Sequence, residues 1–327
     1  MPKPIADETA GILVGDAVAA PSMHNAQPWV FRHRRAASVI EVRADPSRTM
    51  PHADPDRRAL HLGCGAALFN LRVAAADAGL RCEVELLPDP SDPDLVAAVR
   101  LVQQGEGDVV LAALHPAVAR RHTSRSPFED AAIPGEVKFA LVGEAAGEGA
   151  RLVFPGERQN DMVLDLVDEA EAAAEEGGDP DERRWTRVGL GPETGTDDGV
   201  SYTAVGPRSR HHRGSARDFA RGTGRERATT DFEQHPQMAL VTTEQDGPAQ
   251  WLAAGQATER VLLAATLAHL STGLATQPLE HPRLRRLLTA PAGGRGCVQM
   301  VMRLGYGPPD EPTRRRRPVR EVLEEVP

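Results

Sequence analysis

Apolar residues between positions 7 and 20 recur at helical spacing, with Ile12, Leu13, Ala17 and Val14 on the face expected to be buried. Asp7 stands where a cap would, and Pro21 stops the run. Residues 29–32 and 38–42 are short aromatic and β-branched stretches joined by a basic turn, which predicts a hairpin. Residues 45–58 hold three prolines, three aspartates and three arginines and read as a loop. The strongest helical run of the first half follows, from Gly65 to Leu80, small or apolar on most faces and punctuated by Gly79. A strand over Cys82 to Leu87, a Pro88-Asp89-Pro90 turn, a polar stretch at 103–107 and a helix over Val109 to Arg120 complete this half.

Beyond it, the pattern gives a strand near Arg151 to Phe154 and an acidic helix from about Gln159 to Glu176. From 177 to 236 no period survives, and a stretch of that length is a lid, a binding loop or disorder. Order returns with a strand from Met238 to Thr243, a turn at 246–248 and a second Ala-rich helix from Trp251 to about Leu270. Gly65, Ala67, Ala74, Ala75 and Leu80 each have their match 190 residues later, at Gly255, Ala257, Ala264, Ala265 and Leu270. Ala-rich helices match by chance often enough that this alone points only to an internal duplication as one option. A strand over Cys297 to Leu304, a Gly/Pro turn and a basic tail, Arg314 to Arg317, end the chain.

At 327 residues the chain has room for two domains or one large one. Apolar residues make up 40% and aromatics only 4%, so the interior should be aliphatic and helix-rich. A net charge of −9 argues against general affinity for nucleic acid or an anionic membrane surface, leaving small molecules as the expected partners. Three cysteines with no CxxC pairing signal neither disulfides nor zinc, which fits a reducing cytoplasm. No window reaches 18 uninterrupted apolar residues, and the amino terminus lacks the pattern of an export signal.

Two stretches stand out chemically. Residues 21–29, Pro-Ser-Met-His-Asn-Ala-Gln-Pro-Trp, set a hydroxyl, an imidazole and two carboxamides between prolines, as a loop for a heteroaromatic ligand would. The same residues also suit a polar helix exit that satisfies its own backbone, and the stretch by itself does not decide. Arg121, His122, Thr123 and Arg125 place two permanent cations, an imidazole and a hydroxyl within five residues, which suits a phosphate monoester or a solvated surface turn. His24 has no second histidine at metal-ligand spacing, and His211-His212 reads as exposed. No GxSxG, P-loop, HExxH or strand-linked GxGxxG is present.

Together these stretches resemble the flavin-dependent nitroreductase family. Residues 21–29 match its PSxxNxQPW loop, and 121–125 resemble its R-[RH]-S-x-[RK] phosphate segment. The order is inverted, because in ordinary members the phosphate segment comes first. Each flavin site of the family is built across a homodimer, so the inversion resembles the Acg subfamily, where two halves fuse into one chain. The matches at 22–29, at Gly63-Cys64-Gly65-Ala66 and at 316–322 agree with that subfamily.

The resemblance implies an α+β nitroreductase-like fold of two fused halves forming a pseudo-dimer, 1–118 and 119–327, with a lid at about 177–236. It implies FMN held by Pro21, Ser22, Met23, His24, Asn25 and Gln27, with Arg121, His122, Thr123 and Arg125 at the phosphate and its approach. Gly273 to Glu280 resembles the family's GLxxxPxE turn, bringing Pro278, Leu279 and Glu280, and Arg316 and Arg317 match its terminal basic residues. With no second PSxxN loop after Arg125, one FMN per chain is expected, and no further subunit is needed. The implied activity is hydride transfer from NAD(P)H through flavin N5 to an electron-poor small acceptor. The alternatives are an FMN-storing or sequestering stress protein without turnover, since a closed lid would hinder nicotinamide, and a pseudoenzyme used for protein contacts.

Overall fold

The computed structural model describes residues 5–103, 108–177, 180–186, 197–201, 204–210, 217–220, 226–308 and 315–326. The polar stretch at 104–107, the His211-His212 pair and Arg314 lie outside the described residues. Helix α1 covers Asp7–Ala17. Leu13, Val14 and Ala17 are buried as the spacing predicts, whereas Ile12 is 62% exposed. Asp7 is no cap: Ala6 holds that position without a side-chain bond, and the Asp7 carboxylate accepts from Arg35 Nε at 2.7 Å.

The hairpin is longer than its pattern, β1 at Trp29–Arg34 and β2 at Val39–Ala44. Helix α2 spans Arg58–Asp77, starting seven residues before the apolar run. Its start is set from the preceding loop: the Asp54 carboxylate accepts from the N–H groups of Ala59 and Leu60, each at 2.9 Å, after Arg57 turns left-handed at φ 61°. At the other end Gly79, at φ 72°, supplies the expected stop. Strands β3 (Leu80–Leu86) and β4 (Leu95–Gln103) follow. β4 escapes the sequence reading because its Val/Ala alternation is short and carries no flanking turn beyond the one already used. The helix expected over 109–120 is two short ones, α3 (Val109–Ala112) and α4 (His115–Val118), interrupted before Pro116.

The second half contains α5 (Gly135–Gly147), which the sequence reading passes over because only Leu141 and Ala145 face inward. Then come β5 (Arg151–Val153), α6 (Glu157–Gly177), α7 (Pro180–Trp185) and a short parallel pair, β6 (Arg208–Ser209) with β7 (Thr229–Thr230). Thus the described residues of the aperiodic stretch include short elements. Next are β8 (Gln237–Thr243), α8 (Pro248–Leu267), β9 (Ser271–Leu274), α9 (Pro282–Leu287), β10 (Cys297–Gly305), α10 (Val319–Val322) and β11 (Leu323–Val326).

Besides the β6–β7 pair, the described strands form two larger sheets, ordered β11-β1-β2-β4-β3 and β5-β8-β10-β9. The strand before each long helix pairs antiparallel with the last strand of its half, and the strand after the helix takes the outer edge. This repeated order supports the duplication. So do the helix bounds: α2 and α8 begin and end 190 residues apart. They pack against each other in the centre of the molecule, more extensively than any other pair of elements among the described residues. A Cβ on Gly65 would overlap the Leu252 carbonyl oxygen, and one on Gly255 would overlap that of Leu62. The two contacts are related by the same 190-residue shift, as at an isologous interface. One apolar core lies between the first sheet and its helices. The second sheet carries an apolar cluster on each face, with α5 and α8 on one side and α6 and α9 on the other. The extra strand β11 joins β1 in parallel, returning the end of the chain to the first sheet and carrying residues 315–318 past the loop at 21–29. Among the described residues only α2 is long and apolar enough to cross a membrane, and it lies in the core.

Candidate functional site

The loop at 21–29 is held by its own strained backbone. His24, Asn25 and Gln27 are left-handed at φ 49°, 54° and 52°, a conformation that costs non-glycine residues of order 1–3 kcal/mol each unless the surroundings enforce it. Here they do. Ser22 Oγ accepts from Gln27 N at 2.9 Å, and Arg48 donates to Ala26 O at 2.6 Å. Trp29 is fully buried behind the loop, and Gly63 of α2 lets Ser22 and Pro28 approach closely.

A cavity of about 370 Å³ opens beside this loop. Pro21, Ser22, Met23, His24 and Asn25 form one wall. Arg121, His122, Thr123 and Arg125 form another, held along β9 by Ser124 N donating to Thr272 O at 2.7 Å and Thr272 Oγ1 donating to His122 O at 3.3 Å. Glu280 and Arg316 also line it. Eleven of the fifteen residues singled out from the sequence therefore meet at one cavity, although they span the chain from 21 to 316.

The other four stand behind it. Gln27 is fully buried; its amide nitrogen donates to Asp197 O at 2.7 Å and its oxygen accepts from Arg317 N at 2.9 Å. Arg317 turns outward to the carbonyls of Trp29 and Glu321. Pro278 and Leu279 are buried in the turn beneath Glu280. The N–H groups of Leu279 and Glu280 bond to Thr276 O and Gln277 O within that turn.

The cavity has two cationic poles. At the first, Arg121 is 1% exposed, donates to Ala19 O at 3.1 Å and lies 3.4 Å from the buried Glu259 carboxylate. Arg316 beside it donates to Val18 O at 2.9 Å, Ala20 O at 3.1 Å and Asn25 Oδ1 at 2.8 Å. Burial and Arg121 together press the Arg316 guanidinium down to about 9, with Glu259 offsetting part of that. Two buried guanidiniums share one carboxylate here, an excess of positive charge that an anion would relieve.

At the second pole, burial and then Arg217 bring Arg125 down to about 10. Arg125 donates to Ala204 O at 3.0 Å and lies 5.1 Å from the Phe219 ring. Burial disfavours the charge on Arg217 too, but its ion pairs with Glu280 and Glu182 outweigh that and hold its pKa above the ordinary value. Arg217 Nη1 also meets His24 Nε2 at 3.2 Å. His24 is pushed well below the ordinary imidazole range by burial, then by Arg217 and Arg125, so its ring is neutral and Nε2 accepts from the guanidinium.

Sequence reasoning missed Arg217 and Phe219, which sit in the aperiodic stretch where no pattern marks them. It also missed Arg58 at the start of α2 and Thr258 on α8, both of which line the cavity. The stretch is tied down around the site. Asn25 and Gly199 exchange hydrogen bonds, Asn25 Nδ2 to Gly199 O at 3.1 Å and Gly199 N to Asn25 O at 3.2 Å. Arg48 pairs with Asp198 at 3.0 Å. In α7, Asp181 accepts from the N–H groups of His52 and Ala53, and Trp185 packs against Ala26 and Met50. Gly206, at φ 70°, passes so close to Arg125 O that a Cβ would sit 2.6 Å away.

No protein-family model matches the chain. A protein of Mycobacterium tuberculosis H37Rv, named by inference an NAD(P)H nitroreductase, is 32% identical over 320 residues, covering 94% of this chain and 89% of its own. A second protein of that strain, the NAD(P)H nitroreductase acg, also named by inference, is 27% identical over 316 residues, covering 94% of this chain and 92% of its own. Among solved structures, a nitroreductase of Anabaena variabilis superposes with a TM-score of 0.50 at 12% identity, over 92% of this chain and 88% of that one, a likeness of fold alone. At this level of identity over almost the whole length, the protein belongs to the nitroreductase family and to its Acg-like branch.

Proposed function

We propose that this protein binds one FMN per chain in the cavity between its halves and acts as an NAD(P)H-dependent oxidoreductase on an electron-poor small acceptor. The observation that carries this reading is the convergence of the 21–25 loop, the 121–125 segment and Glu280 on one cavity. Its volume lies within the range of small-molecule sites.

The residues fit the cofactor. Arg121 Nη1 has no hydrogen-bond partner among the described residues, and it stands with Arg316 where a phosphate would neutralise the surplus charge. Ser22 Oγ already accepts from Gln27 N, which leaves its proton free to donate toward the cavity. Asn25 works mainly as a strut, its amide joining Gly199 on one side and Arg316 on the other. Met23, Leu62 and Ala66 supply apolar wall for a ring system. When bound, FMN supplies a ring position that takes and returns a hydride. The neutral His24 and the charged pair Arg217–Glu280 border the cavity.

A second reading, an FMN-retaining protein with little turnover, is favoured by one observation. Residues 199–201, 204, 206, 217 and 219 are part of the cavity wall, and Arg217 fastens them to His24 and Glu280, where an incoming nicotinamide would need space. Anaerobic mixing of the yellow protein with NADPH separates the two. Prompt loss of the flavin absorption band is expected from the oxidoreductase, a persistent band from the retaining protein, and a protein that takes up no FMN at all would overturn both.

A further inference from the structure

Helix α8 carries two threonines, and they behave differently. Thr266 returns its hydroxyl to the Leu262 carbonyl at 2.8 Å, the ordinary way for a helix to satisfy such a group. Thr258 is 2% exposed, lines the cavity, and its Oγ1 has no hydrogen-bond partner among the described residues. A buried hydroxyl left unpaired costs about 1–3 kcal/mol, so its position in a cavity wall calls for a partner from outside the chain.

The surroundings identify the chemistry of that partner. The next residue, Glu259, is the carboxylate 3.4 Å from Arg121 Nε. Among the described residues, Arg121 Nη1 has no hydrogen-bond partner and Nε has only that ion pair. One turn earlier Gly255 lines the same cavity, its missing side chain keeping the α8 backbone close to α2. Thr258 therefore lines the same cavity as Arg121 and Arg316, whose guanidiniums bring more donors than acceptors to it.

We propose that Thr258 is a binding residue for the phosphorylated end of the ligand, its hydroxyl donating to a phosphate oxygen in the cavity that Arg121 also lines. This rests on the FMN reading above. It makes α8, the central helix of the second half, a direct part of the site, with discrimination between FMN and riboflavin as the consequence. Glu259 has a related role: its carboxylate, ion-paired to Arg121 Nε, keeps the guanidinium aimed, so that Nη1 is left for the ligand.

Thr258→Val keeps the shape and removes the hydroxyl, and Thr258→Ser keeps the hydroxyl. FMN and riboflavin affinities are measured by flavin fluorescence quenching on the full chain, together with the melting temperatures of the flavin-free and FMN-loaded forms. Thr258→Val is expected to weaken FMN by about five- to tenfold, to leave riboflavin closer to the wild-type value, and not to lower the flavin-free melting temperature. Thr258→Ser is expected to restore FMN affinity. Unchanged FMN affinity in Thr258→Val, or an equal fall in melting temperature with and without FMN, overturns the assignment while leaving the flavin site standing. Failure of the wild-type protein to bind FMN overturns the flavin reading itself, and this inference with it.

Discussion

Residue types were readable before the fold, but their directions were not. Nothing in the sequence tells that Gln27 stands behind the cavity, because its direction is fixed by Asp197 O and by Arg317 N, 170 and 290 residues away. Arg316, in contrast, lines the cavity, its guanidinium held by the carbonyls of Val18, Ala19, Ala20 and Arg315 and by Asn25. Replacing it with Gln should lower FMN affinity on the order of tenfold or more, the size of a lost charge-assisted hydrogen bond, while riboflavin affinity changes little. Equilibrium dialysis with both flavins checks this. His24 gives a pH test. Its depressed pKa keeps it neutral in the folded protein while the unfolded chain takes up a proton below the ordinary value of 6.5. The unfolded state then binds more protons, so this term is absent above that value and destabilises progressively as pH falls below it. Urea midpoints of flavin-free protein at about pH 7.5 and about pH 5.5 should therefore drop less in His24→Gln than in wild type. Equal drops would mean that His24 is not buried as a neutral ring.

Among elements, the two Ala-rich helices were the most legible feature, and the 190-residue match between them corresponds to their packing partners as well as their bounds. The sequence could not say that Gly65 and Gly255 seat each other's helix. Glycine in a helix is ordinarily a loss of about 1 kcal/mol, and only the Leu252 and Leu62 carbonyls explain it here. Gly65→Ala and Gly255→Ala should each cost about 1–3 kcal/mol by overpacking, against the gain in helix propensity. The double variant should cost less than the sum, because one added methyl already separates the helices at the shared crossing. Additive urea-denaturation energies would argue against a shared crossing. The segment around Arg217 was illegible for the opposite reason: it has no period, and its order comes from anchors such as Asp181, Trp185 and the Arg217–Glu280 pair. If that pair fastens the wall, Arg217→Gln should release FMN several-fold faster on dilution, followed by recovery of flavin fluorescence. An unchanged release rate would show that ligand exit does not pass this segment.

At the scale of the molecule, fusion changes the thermodynamics of the site. A cavity assembled from two separate subunits exists only while they associate, so its ligand affinity falls when the protein is diluted. Here the wall at 21–25, the wall at 121–125 and the turn at 273–280 belong to one chain, and α2 against α8 replaces a subunit interface. The inverted motif order made this arrangement legible, because the two motifs can complete one site only if their halves face each other. The boundary near residue 118 was less so: β11 returns to β1 and Arg316 reaches Asn25, so the last residues of the second half are built into the first. The fused site should behave as intramolecular. At fixed free FMN, the fraction of chains carrying flavin should stay constant as protein concentration is lowered over several decades, with saturation at one flavin per chain. Occupancy that falls with dilution would mean that a second chain completes the site, and saturation at two would mean that the other interface position also binds. Constant occupancy at one flavin per chain would identify the contact of α2 with α8 as the interface that keeps the site assembled.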